Sequence, residues 1–159
     1  MDFYDSTQPA EIPEGAHACL YYDGDYAATP EQARRFVATR WITVLGDYRN
    51  CGIADFEQGN EVYSKPGALR AFVQGRKNMN VRARVYCNRA NLPTVRSELE
   101  GLEYLVWIST LDGDKLSANY TPGLWGVQFA VRHMIHPCQV ALVGLCQQVR
   151  WGVFGGPAV

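Results

Sequence analysis

The sequence predicts an α/β fold of mainly parallel strands with helices outside them, and three observations carry that prediction. Short apolar runs rich in β-formers alternate with stretches of helical periodicity. The strand-like runs end in aspartate, glutamate, asparagine or glycine, as strands do when their carboxyl ends form a ligand-binding rim. With 159 residues, the chain is long enough for one core and too short for two ordinary ones.

Residues 1–16 are acidic and proline-bearing, and read as an N-terminal arm that leads in or orders against a partner. The first apolar run, Ala18–Tyr22, is a strand that ends at the turn Asp23-Gly24-Asp25. Thr29, Pro30 and Gln32 then spell a capping box with proline in the first helical position. The helix they start runs to about Thr39 and buries Ala33, Phe36 and Val37. Trp41–Leu45 is the second strand, and Gly52–Glu57 the third. The connection between them is shorter than the dozen or so residues of an ordinary parallel crossover. The two runs are therefore expected to bend sharply into each other or not to pair as parallel neighbours.

A second helix spans residues 64–79, capped by Ser64, with Pro66 in its first turn and Leu69, Phe72 and Val73 on one face. Val81–Cys87 alternates as a strand. A third helix opens at Leu92-Pro93 and closes at Gly101. Tyr104–Thr110 and Leu124–Ala130 are further strands, and Val140–Leu145 and Val149–Phe154 a closing pair. The body of the domain is thus 17–130, with 131–159 supplying closing strands and a tail.

Composition narrows the function classes. A 47% apolar and 19% charged chain folds rather than staying disordered, and a net charge of −1 with scattered Lys and Arg offers no basic face for nucleic acid. No apolar run reaches the roughly 20 residues of a membrane span, and no secretory leader is evident, so a protein made in the cytoplasm is expected. Five cysteines without a CxxC pair read as free buried thiols. His133, His136, Cys138 and Cys146 lie close in sequence, but their spacing matches no usual zinc template, and neither a metal nor another cofactor is expected.

The candidate chemistry lies at the strand ends. Asp23 and Asp25 end the first predicted strand, Asp47 the second, and Asp55 and Glu57 the third, while later strands bring Tyr86, Asn88, Ser109 and Gln128. Asp55 and Glu57 sit two apart on a strand and so share a face. Like charges placed close together raise one pKa, giving the acid-plus-carboxylate pair that glycosidic cleavage uses. Asp47, and one of Asp23 and Asp25, read as turn residues. Tyr48 and Tyr120, in loops on the same rim, are candidates for stacking on a sugar.

The succession GIADFEQGN, a helix, RARVYCN, YLVWIS and GLWGVQFA resembles the glycoside hydrolase family 25-type lysozymes and their actinobacterial and phage relatives. The resemblance covers roughly residues 18–130 and rests on short motifs that occur in order. It implies a modified or incomplete (β/α) TIM-like barrel directed at peptidoglycan. On it, Glu57 would be the general acid and Asp55 its companion carboxylate. Asp23 or Asp25 would be the acid of the first strand, and Tyr86 and Gln128, with Asn88 nearby, would line the sugar cleft. The chain departs from the family in its length, in the helix-free second connection and in its C-terminal tail. Two readings therefore stand: a muramidase-like enzyme, or an inert phage virion or wall-binding protein that keeps the fold. The first has bacterial cell-wall glycan as its partner, and the second other virion proteins or further copies of itself.

Overall fold

The computed structural model describes residues 2–109, 124–133 and 145–150. The fold is α/β, built on a curled, mainly parallel sheet. Its strands are β1 (Asp2–Ser6), β2 (His17–Tyr21), β3 (Ala38–Thr43), β4 (Ile53–Asp55), β5 (Ala83–Asn88), β6 (Tyr104–Ser109), β7 (Leu124–His133) and β8 (Leu145–Arg150). Each strand from β1 to β6 pairs in parallel with the next. β8 runs antiparallel to both β7 and β1 and closes the ladder. Among the described residues the helices are α1 (Pro30–Ala33), α2 (Glu61–Ser64), α3 (Ala68–Asn78) and α4 (Leu92–Glu98). None is long and apolar enough to cross a membrane.

Several expectations need correction. Residues 2–6 are a strand inside the sheet, hydrogen-bonded to β2 on one side and β8 on the other, and the chain returns to β2 through a 3-10 turn at Pro9–Glu11. The helix expected to reach Thr39 stops after Ala33. Its capping box forms, with Gln32 N donating to Thr29 Oγ1 at 3.2 Å and Thr29 N to Gln32 Oε1 at 2.7 Å. Beyond it, pairing with β2 recruits Ala38 and Thr39 into β3. Phe36 is buried as expected, whereas Val37 is exposed. The second helix is split. Pro66 lacks an N–H and disfavours helical geometry in the residue before it. Ser64 therefore ends α2, and α3 restarts after Gly67, whose φ is 77°. Leu69, Phe72 and Val73 nonetheless form the buried face of α3. The third helix ends at Glu98, with Gly101 in a left-handed conformation just past it.

The short second connection does join parallel neighbours. Ile42 pairs with Ile53 and Thr43 with Ala54. Residues 44–52 manage this without a helix because they are a braced loop lying on α3. Asp47 Oδ1 accepts from Arg49 N at 2.9 Å and Asn50 N at 3.2 Å, and Cys51 N donates to Asp47 O at 3.1 Å. The Tyr48 ring fits over Gly75 so closely that a Cβ there would lie 2.5 Å from it, and Arg76 Nη1 donates to Tyr48 O at 3.2 Å.

Alternation along the strands separates two faces. Ala54 and Phe56 pack outward with Leu69, Phe72 and Val73 of α3, and Ala18 and Leu20 pack outward with Ile12 and Phe36. The opposite face of the strands gathers Cys19, Ile42, Ile53, Tyr86 and Trp107, with half-buried Tyr21 against them. This inner cluster is an apolar floor beneath the carboxyl ends of the strands. The expected strand at 140–145 lies largely outside the described residues, and that at 149–154 overlaps them only at the end of β8.

Candidate active site

Above that floor the strands deliver a group of carboxylic acids. Asp55, the last residue of β4, is 2% exposed, and Asp5 on β1 is 4% exposed. Glu57, just past β4, is half-buried and is the member of the group that reaches solvent. Burial first, then the nearby Glu57 charge, pushes the Asp5 carboxyl up to about 7. The same two causes, joined by Asp5 itself, push Asp55 well above the usual carboxylate range. Burial raises Glu57 as well. Removing carboxylates from water disfavours their charged form, and like charges close together compound the effect. Burial therefore biases the whole group towards its protonated forms.

The hydrogen bonding agrees. Tyr21, at the end of β2, donates its hydroxyl to Asp55 Oδ2 at 3.2 Å. Asp55 Oδ1 and Asp5 Oδ1 are buried and have no hydrogen-bond partner among the described residues. Buried polar atoms are seldom left so, and such exceptions concentrate at functional sites. Tyr86 packs edge-on to Trp107 at 4.6 Å, and its hydroxyl shares a hydrogen bond with Ser109. Burial, then Glu57 and Asp5, raise the Tyr86 pKa, so it stays a neutral phenol beside the acids.

The backbone carrying Asp55 and Glu57 is fixed at three successive points. Asn60 Nδ2 donates to Asp55 O at 3.2 Å, Phe56 N to Tyr86 O at 2.8 Å, and Asn91 Nδ2 to Phe56 O at 3.2 Å. Asn88 Oδ1 in turn accepts from Asn91 N at 2.9 Å. Asn88 thus braces the loop that holds the acids. A catalytic group needs such support if it is to keep its geometry.

The other candidates from the sequence are placed elsewhere. Asp23 binds the end of β3: its Oδ1 accepts from Val44 N at 2.7 Å and Leu45 N at 3.3 Å, and Thr43 donates to its Oδ2. Asp25 is exposed in the following turn. Asp47 is the turn residue expected. Burial works to raise its pKa, but hydrogen bonds from Asn50 and Arg49 outweigh that and hold it below the usual range. Tyr48 lies on the outer layer over Gly75, away from the acids. Gln128 takes its place in β7 beside Ser109 in the ladder, and Tyr120 lies outside the described residues. Among the described residues no group of three His, Cys, Asp or Glu side chains is arranged to hold a metal ion. His133 ends β7, Cys146 lies in β8, and His136 and Cys138 lie outside the described residues.

Asp5 is the member of the acid group that the sequence reading missed. Its strand carries two aspartates in five residues, DFYDS, and lacks an apolar signature. An open depression of about 560 Å³ bordered by Lys77, Asn80, Arg82 and Glu103 lies before β5, at the opposite ends of the strands from the acids. No family model matches the chain, and comparison with curated proteins and with solved structures returns no match.

Proposed function

We propose that the acid group is the catalytic centre of a peptidoglycan-directed glycoside hydrolase of muramidase type on a modified TIM-like barrel. The observation that carries this reading is the convergence of Asp5, Asp55 and Glu57, from β1 and the end of β4, over one apolar floor, with raised pKa values throughout. What acts on the two buried aspartates is loss of water and the charge of their fellow carboxylates. Proton-holding carboxylic acids beside ionisable ones are what glycosidic cleavage requires. The resemblance of GIADFEQGN and the strands after it to family 25-type lysozymes supplies the substrate class.

In this mechanism Glu57, the solvent-reaching acid, meets the glycosidic oxygen. A bound sugar covers Glu57 and removes water from it, which raises its proton affinity towards that of its buried neighbours. A proton held at Asp55 or Asp5 then passes within the group to Glu57, which delivers it to the leaving oxygen as the glycosidic bond breaks. The negative charge left on the buried aspartates faces the oxocarbenium-like centre and stabilises it. Water adds to that centre and returns the proton. Tyr21 fixes the orientation of Asp55, and Asp5 takes the first-strand role that the sequence reading gave to Asp23 or Asp25.

Incubating the protein with purified peptidoglycan and identifying the new reducing ends tests the reading. Reducing ends at muramic acid support it. A protein that binds the glycan without releasing any would be the inert wall-binding alternative.

A further inference from the structure

We propose that Tyr26 is a glycan-stacking residue: its ring stands beside Tyr21, one ring outward from the acid group, and takes one face of a pyranose next to the cleaved bond. This rests on the glycoside-hydrolase reading of the acid group. Tyr26 is 58% exposed, yet its ring centroid stands 6.1 Å from that of Tyr21, tilted by 59°. Tyr21 is the residue whose hydroxyl binds Asp55, so Tyr26 is one ring removed from the acids.

An exposed aromatic ring alone decides nothing, since single exposed apolar residues are ordinary. The neighbours of each ring make the distinction. Tyr22 is also exposed, but leans edge-on against Trp41 at 5.8 Å, and Trp41 belongs to the outward-packed layer. Tyr63 leans on Phe56 at 5.0 Å, again on the outward side. Of these three exposed tyrosines, Tyr26 is the one that leans on an inward-facing residue beside the acids.

Its loop is also held in place. Asp23 ties the loop to the end of β3 through Thr43, Val44 and Leu45. Gly24 adopts φ 77°, with Val44 Cγ2 only 2.5 Å from where a Cβ would stand, so no other residue fits without strain. Ala27 N donates to Gly24 O at 3.3 Å and Ala28 N to Tyr21 O at 2.8 Å, and both bonds span Tyr26 in the chain. A ring held ready in this way loses little freedom when a ligand stacks on it. The electron-rich face of a phenol complements the C–H face of a pyranose, and the hydroxyl stays in water.

The test uses a Glu57→Gln protein, so that the glycan is not consumed, and calorimetric titration with a soluble tetrasaccharide of alternating N-acetylglucosamine and N-acetylmuramic acid. Tyr26→Ala in that background is expected to weaken binding about tenfold, the equivalent of about 1.4 kcal/mol. Tyr26→Phe keeps the affinity of the parent, and so does Tyr63→Ala. Equal affinity of the parent and Tyr26→Ala overturns the assignment of Tyr26 and leaves the reading of the acid group intact. A parent that does not bind the tetrasaccharide at all overturns both.

Discussion

Tyr21 donates its hydroxyl to Asp55 Oδ2 at 3.2 Å across two strands that are not neighbours in the sheet, since β3 lies between β2 and β4. The bond therefore spans the concave interior and fixes the carboxyl plane of a residue with almost no contact with solvent. It also opposes burial and the Glu57 charge, because a donor to the ionised form favours that form. Tyr21→Phe should raise the Asp55 pKa further and cost about 1 kcal/mol of stability. In a pH–rate profile the basic limb of the variant should move to higher pH, with a reduced maximum from the less constrained carboxyl. An unchanged profile would separate Tyr21 from the chemistry.

Asp5 links the site to folding stability. Its folded pKa of about 7 lies above the ordinary aspartate value of 3.8, so between those values the native state binds more protons than the unfolded chain. Stability is then fully present at low pH and falls as pH rises through the window from about 4 to about 7. At about 1.4 kcal/mol per pKa unit the effect amounts to a few kcal/mol. Asp5→Asn should flatten this part of the curve and raise stability at pH 7, read as the urea midpoint at a series of pH values. The same variant removes a charge that raises Asp55, so its rate profile should lose its basic limb at lower pH than the wild type.

How much of this was legible in the sequence varies from residue to residue. Asp55 and Glu57 could be found because a DxE motif ending an apolar run is a local pattern. Asp5 could not, because β1 is held between β2 and β8, and the β8 partner lies more than a hundred residues away in sequence. Asp23 was placed at the correct strand end, but its partners are backbone groups beyond β3, and no local pattern announces them. The split at Pro66 has a local cause, the proline itself, whereas the early stop of α1 does not. Helical periodicity persists through residues 34–39, and pairing between β2 and β3 takes precedence over it.

Asp23 should act on stability. Replacing it with alanine leaves Val44 N and Leu45 N without their acceptor and removes the partner of Thr43. A loss of about 1–3 kcal/mol is expected in denaturant unfolding. With the Tyr26 loop no longer tied to β3, glycan affinity should fall as well. Full stability in Asp23→Ala would contradict the bracing role.

Gly75 tests the helix-free crossover between β3 and β4. In Gly75→Ala the new methyl would meet the Tyr48 ring at 2.5 Å, so the ring and its loop must shift, at a cost of about 1–3 kcal/mol. Adding Tyr48→Ala should recover part of that loss, giving clear non-additivity in a double-mutant cycle. Strict additivity would mean that the loop does not depend on this contact.

The central claim is that Glu57 delivers a proton to a glycosidic oxygen over the buried aspartates. The most direct measurement is the rate of reducing-end release from purified peptidoglycan by wild type and Glu57→Gln, alongside the thermal unfolding of both. The account predicts measurable release by wild type, a fall of about a hundredfold or more in the variant, and closely similar unfolding temperatures. No release by a folded wild-type protein, or equal rates for the two, would contradict it.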